Sequence, residues 1–195
     1  MYTVNDINNT IIINKSKFIT YLYSVNNIDE INTILDKLKS DYKDATHICY
    51  GYILLSSEKC TDDGEPSGTA GLPILNILKK NNLMNTLAVV VRYFGGIKLG
   101  AGGLTRAYSN SVNDTLKLTT LSTLEEMYLV ELEFSYDNSK LVDYMLYNKN
   151  IISKEYNDNI VYTFYLKEDE LSFVSELEKV AIHVSIKDKK LVKND

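Results

Sequence analysis

Two short stretches hold most of the residues with chemical potential. RYFGGIKLGAGGLTRAY, Arg92 to Tyr108, contains both arginines of the chain and five of its nine glycines. TDDGEPSGTAGLP, Thr61 to Pro73, places three carboxylates, Asp62, Asp63 and Glu65, within four residues. Arginine offers a planar fork that binds phosphate or carboxylate bidentately, which lysine cannot copy. In a chain with 19 lysines, two arginines beside a glycine-rich loop point to that geometry. The glycines Gly95, Gly96, Gly100, Gly102 and Gly103 leave an apolar strand and lead into a helix expected to begin near Gly103. Such a loop exposes backbone N–H groups at the positive end of a helix. Arg92, Lys98 and Arg106 add formal charge, and Ser67 and Thr69 are placed to line the opposite loop, so an anion is the natural guest. A structural alternative stands beside this one: Arg92 and Arg106 pair with Asp62, Asp63 and Glu65 and lock the two loops together.

Known nucleotide loops do not fit the segment. Gly95 to Gly100 has P-loop spacing, but Ala101 and Gly102 stand where lysine and a hydroxyl belong. Gly100 and Gly102 match the first two glycines of a dinucleotide fingerprint, yet Thr105 occupies the third position. The carboxylates Asp62, Asp63 and Glu65 are candidate metal ligands or acid-base groups. Against that, they suit a solvated turn followed by Ser67 or Thr69 capping the next helix. No EF-hand spacing is present, and Gly64-Glu65-Pro66-Ser67-Gly68 misplaces the first glycine of a serine-hydrolase elbow. No cofactor motif remains, and none is expected.

His47 and Cys49 lie two apart on an expected strand and share a face. His47 and Tyr93 are candidate cleft residues, although a partly buried, hydrogen-bonded structural histidine is the plainer reading of His47. Cys49 and Cys60, with no further cysteine or histidine cluster, make neither a disulfide framework nor a zinc site. His183 has no companions, and the aromatic strand VYTFYL lacks the RNP pattern of RNA-binding sheets.

The elements that must position these residues follow from periodicity. Thr10 to Val25 reads as two strands around Asn14 to Ser16, and Asn27 caps a helix with Ile28, Ile31, Ile34, Leu35 and Leu38 on one face. Thr46 to Leu55 is a strand, Leu72 to Lys80 a helix with Pro73 in its first turn, and Leu87 to Tyr93 an apolar central strand. Leu104, Tyr108, Val112 and Leu116 repeat every four residues along a helix. Lys117 to Leu124 is a polar linker candidate. Beyond it come a strand, a helix over Asn138 to Asn150, two strands joined at Asn157 to Asn159, a helix over Glu168 to Val180, and a closing strand. That order, β-α-β-β-α-β, is the split-βαβ or ferredoxin-like one. All nine glycines fall between Gly51 and Gly103, so turns elsewhere must use Asn and Asp.

Composition sets the remaining bounds. A hydrophobic share of 45% and a charged share of 24% are those of a folded globular protein. The net charge of −5 argues against coating nucleic acid by bulk electrostatics. Up to Ser122 there are 12 basic and 11 acidic residues; from Thr123 onward there are 9 and 15, so a phosphate-binding surface belongs to the first part. No apolar run approaches the ~20 residues of a membrane span, and the N-terminus lacks signal-peptide layout, so a cytoplasmic location is expected.

Three blocks, DATHICYGY (Asp44 to Tyr52), DDGEPSGTAGLPIL (Asp62 to Leu75) and VVVRYFGGIKLGAGGLTRAYS (Val89 to Ser109), resemble the YigZ/IMPACT family in order and spacing. KSKFI, Lys15 to Ile19, is similar to that family's short N-terminal block. The resemblance implies an α+β protein of two domains. Residues 1–122 would form an IMPACT-like domain similar to the second domain of ribosomal protein S5. Residues 123–195 would form a ferredoxin-like domain similar to the last domain of elongation factor G. Eukaryotic IMPACT relatives are regulators of translation; the partner bound through their additional RWD domain does not transfer, since no such domain is found here. The expectation is a translation-associated regulator that binds RNA phosphate or a ribosome-linked factor and has no membrane partner. The alternative is a metal-dependent enzyme acting on a small phosphorylated or carboxylated substrate.

Overall fold

The structure, a computed structural model, describes residues 1–194 and is α+β. Two compact units are present, one of Met1–Leu124 with Lys193 near the chain end, the other of Glu125–Val192. No helix among the described residues is long and apolar enough to cross a membrane.

The first unit begins with β1 (Tyr2–Val4) and a hairpin of β2 (Ile7–Ile13) and β3 (Ser16–Ser24). The hairpin turn is Asn14-Lys15, with φ of 45° and 64°, the left-handed pair that matches strand twist. Asp63, Asn82 and Asn85 also take positive φ, so Asn and Asp serve as turn residues as the sequence implies. Then follow α1 (Ile28–Asp41), β4 (His47–Ile53), β5 (Glu58–Thr61), α2 (Gly71–Lys80), β6 (Thr86–Tyr93) and α3 (Gly100–Leu116). The helix expected near Gly103 thus starts three residues earlier, at Gly100.

The sheet order is β2-β3-β6-β4-β5, and each neighbouring pair is antiparallel. β6 is central and covered on both faces. Leu87 and Val89 pack with Ile31, Leu35 and Leu38 of α1. Ala88 and Val90 pack with Ile74 and Leu78 of α2 and with Leu104, Tyr108 and Val112 of α3. At ~25 cal/mol per Å², this double burial drives the unit's folding. Asn27 caps α1 by accepting from the Glu30 N–H at 2.9 Å, and the Glu30 carboxylate returns to the Asn26 N–H at 2.7 Å.

The expected linker is partly strand. β7 runs Leu121–Phe134, and its first residues pair with β1 through Tyr2↔Thr123 and Val4↔Leu121. β1 is too short to show a period, so only this distant pairing reveals it.

In the second unit β7 is followed by α4 (Ser139–Met145), β8 (Ile151–Tyr156), β9 (Ile160–Leu166), α5 (Val174–Leu177) and β10 (His183–Asn194). β8, β9 and β7 are bonded in that order, and β10 also pairs with β7. Val130, Leu132, Phe134, Tyr162 and Phe164 face Val142, Leu146 and Leu177 in one core. The helix expected over Glu168 to Val180 is instead a 3-10 segment, Glu168–Phe173, followed by the four-residue α5. Val174 and Leu177 are its only buried apolar residues, too few to sustain three turns.

Candidate functional site

At one end of the first sheet, the start of β4, the end of β6, the loop before α2 and the first turn of α3 converge. The register sets His47 of β4 opposite Arg92 of β6, and Phe18 of β3 opposite Arg92 on its other side. Against this end of the sheet packs the Asp62–Thr69 loop, which is built by its own carboxylates. Asp63 takes φ 43° and its Oδ2 accepts the Ile48 N–H at 2.6 Å. Asp62 Oδ1 accepts the N–H groups of Ala70 and Gly71 at 2.9 and 2.8 Å, and Oδ2 accepts that of Gly68 at 2.8 Å. Burial alone would raise the Asp62 carboxyl, but these three backbone donors outweigh it and hold the pKa below the ordinary aspartate value.

Asp62 therefore caps α2 from a distance. The expectation that Ser67 or Thr69 would do so is corrected: Thr69 Oγ1 donates to the Pro66 carbonyl at 2.6 Å, and Ser67 is exposed. An ionised carboxylate at a helix N-terminus gains from the macrodipole as well as from the bonds, which a hydroxyl does not match.

Glu65 turns inward. One oxygen accepts from Arg92 Nη1 and from the Tyr108 hydroxyl at 2.8 Å. Arg92 also donates through Nη2 to Ser16 Oγ at 3.4 Å, and its guanidinium carbon lies 5.4 Å from the Phe18 ring centre and 5.6 Å from that of Phe94. Arg92 Nε is buried with no hydrogen-bond partner. Burial first, then Cys49 and Glu65 nearby, push the Tyr108 phenol far above its usual range. Burial likewise pushes the Cys49 thiol up to about 12, against a lowering hydrogen bond with Tyr108. Cys49 Sγ donates to the Asp62 carbonyl at 3.0 Å. His47 Nδ1 sits 2.8 Å from the Asp63 carbonyl, which assigns the proton to that nitrogen, and Nε2 lies 3.8 Å from Glu65 Oε2.

Above this network opens a cleft of about 430 Å³. It brings together His47, Glu65, Arg92, Lys98 and Gly100 from the sequence reading. Thr46, Pro66, Phe94, Leu99, Ala101 and Leu104 complete it, walls that only tertiary closure assembles. Gly100, with φ 69°, lets the chain turn into α3, whose N-terminus has no side-chain cap. The free N–H groups of that first turn and the positive end of a 17-residue helix border the cleft beside Lys98.

The other candidates lie off its lining. Tyr93 donates to Asp44 at 2.9 Å, and Gly96 is exposed with φ 82°. Gly95 is packed so closely on the hairpin turn that a Cβ there would stand 2.0 Å from the Lys15 carbonyl carbon. Gly102 and Gly103 belong to the first turn of α3. Arg106 is exposed, makes no ion pair among the described residues, and holds its guanidinium near Gly102. The two arginines thus have separate surroundings, one buried against Glu65 and one at the surface. Among the described residues no group of three or more His, Cys, Asp or Glu side chains is arranged to hold a metal ion. Asp62, Asp63 and Glu65 each engage different donors.

Comparison with known proteins bears on the same segments. Residues 14–116 match the family model of the Impact N-terminal domain. The IMPACT family member YvyE of Bacillus subtilis is 40% identical over 171 residues, covering 85% of this chain and 79% of its own. An IMPACT family member of Haemophilus influenzae is 37% identical over 173 residues, covering 85% and 84%. A crystal structure of an hypothetical protein superposes with a TM-score of 0.70 at 25% identity, covering 100% of this chain and 98% of the other. The site loops and the whole of α3 fall inside the matched region, and the chain belongs to the IMPACT family.

Proposed function

We propose that the protein is a translation-associated binding protein that takes an anionic group, an RNA phosphate or its equivalent on a ribosome-linked factor, at the cleft before α3. The observation that carries this reading is the meeting of Lys98 with the uncapped N-terminus of α3 at an open cleft. Arg92 lines the floor, where its charge is already balanced by Glu65; it shapes the site, and Lys98 supplies the free charge. The exposed Arg106, four residues after Gly102, extends the basic edge along the helix. Membership of the IMPACT family, for which the sequence resemblance implies a role in regulating translation, supports the cellular setting. No observation favours the metal-dependent alternative, because its three carboxylates are committed to the fold.

The test is RNA binding by the full chain as a function of salt. The wild type binds with an affinity that falls as salt rises, because phosphate contacts release counterions. Lys98→Ala and Arg106→Ala each weaken binding and reduce the salt slope by about one. RNA affinity that is unchanged in both variants, with the fold intact, overturns the proposal.

A further inference from the structure

The first sheet has two free edges, and they are built differently. Edge strands present unpaired N–H and C=O groups, and folded proteins blunt them with charges, proline, bulges or shortness. β5 has four residues and carries Glu58 and Lys59. In the second unit, the edge strand β8 carries Lys154 and Glu155 and a register shift between Ile151 and Ser153. β2, INNTIII, has none of these devices: seven residues with no charge, no proline and an unbroken register to β3 from Ile7↔Leu22 to Ile13↔Ser16. Its Ile12 is 73% exposed, more than any other large aliphatic side chain among the described residues of the first unit.

The hairpin decides which backbone groups are free. The pair closing a two-residue turn, Ile13 and Ser16, is hydrogen-bonded, and bonded pairs alternate along an antiparallel ladder. Ile7, Asn9, Ile11 and Ile13 therefore direct their backbone groups to β3. Asn8, Thr10 and Ile12 direct theirs outward.

We propose that β2 forms a symmetric homodimer interface, pairing antiparallel with β2 of a second copy about a twofold axis through Thr10. This is the register in which all three outward residues are satisfied: Thr10 faces Thr10, and Asn8 faces Ile12 in both directions. About six hydrogen bonds form, and the two five-stranded sheets become continuous. On the half-buried face Ile7 meets Ile13 and Asn9 meets Ile11. A twofold interface must be complementary to itself, and a strand without charge meets its copy with no like-charge repulsion. The same lack of charge offers nothing to an acidic or basic peptide, which is why a second copy is the fitting occupant.

Sedimentation velocity on the full chain tests this. The wild type is expected at twice the 22.2 kDa chain mass, dissociating on dilution. Thr10→Lys and Thr10→Glu alter an exposed side chain and set like charges across the axis, so each alone runs at the single-chain mass. Mixing the two variants in equal amounts restores the doubled mass. Amide exchange in the wild type serves as a second readout: protection at Asn8, Thr10 and Ile12 rises with protein concentration. A wild type that stays at 22.2 kDa at every concentration, variants that still dimerise, or a mixture that fails to associate overturns the proposal.

Discussion

The Arg92 guanidinium donates to the Glu65 carboxylate inside the first unit, with side chains only 5% and 3% exposed. The pair joins the end of the central strand to the loop before α2, and Tyr108 on α3 binds the same carboxylate oxygen. Three elements thus close on one buried charge.

Removing one partner strands the other. Arg92→Met or Glu65→Gln should each lower unfolding stability by about 3–5 kcal/mol. Arg92→Met combined with Glu65→Gln keeps an acceptor for Tyr108 and removes both charges, so it should cost clearly less than the two single losses together. Urea unfolding of the four proteins measures this; strictly additive losses would show that the pair is not coupled.

Asp62 should matter in a pH-dependent way. Its folded pKa is below the ordinary value of about 4, so its ionised form stabilises the fold fully above that value. The contribution is lost as pH falls through the lowered folded pKa. Asp62→Ala should cost about 1–2 kcal/mol at neutral pH, and the gap to wild type should be level down to about pH 5 and narrow below pH 4. A gap that widens in acid contradicts this cap.

The two thiols should separate kinetically. Cys49 is fully buried with its pKa pushed up to about 12, whereas Cys60 is half-buried with a more modest rise caused first by burial, then by Asp62 and Glu58. With a thiol reagent at pH 8, Cys60 should react slowly in the folded protein and Cys49 only at the rate of unfolding. Equal native rates in Cys49→Ser and Cys60→Ser variants would contradict the burial.

Two glycines of one motif should respond with opposite sign. Gly95→Ala drives a Cβ into the Lys15–Ser16 backbone and should cost more than about 4 kcal/mol or abolish folding. Gly102→Ala sits in a helix with its nearest neighbour at 3.7 Å and should stabilise by about 0.5–1 kcal/mol. Thermal melts of both variants decide it.

Much of the frame could be read from residue order alone. The apolar run of β6, the two strands around the Asn14 turn and the Asn27 cap each reflect local physics strong enough to survive folding. His47, Glu65, Arg92, Lys98 and Gly100 come from separate readings of the sequence, and only the folded chain sets them round one cleft. Other features rest on distant partners. Three glycines in four positions argue for a loop at Gly100–Gly103, yet packing of Leu104 and Tyr108 carries α3 back over them. Asp62 caps a helix whose first residue lies nine positions further on, and Phe94 becomes a cleft wall only when the guanidinium settles beneath it. β1 exists because Thr123 lies opposite Tyr2.

Because β6 is sheathed on both sides, the segment that carries Arg92 is rooted in the last part of the unit to open. Local fluctuations fray edges and loops well before such a strand. The floor of the cleft is therefore held rigid by the strand beneath it, and if the proposed anion binds there, little of the binding free energy goes to ordering it.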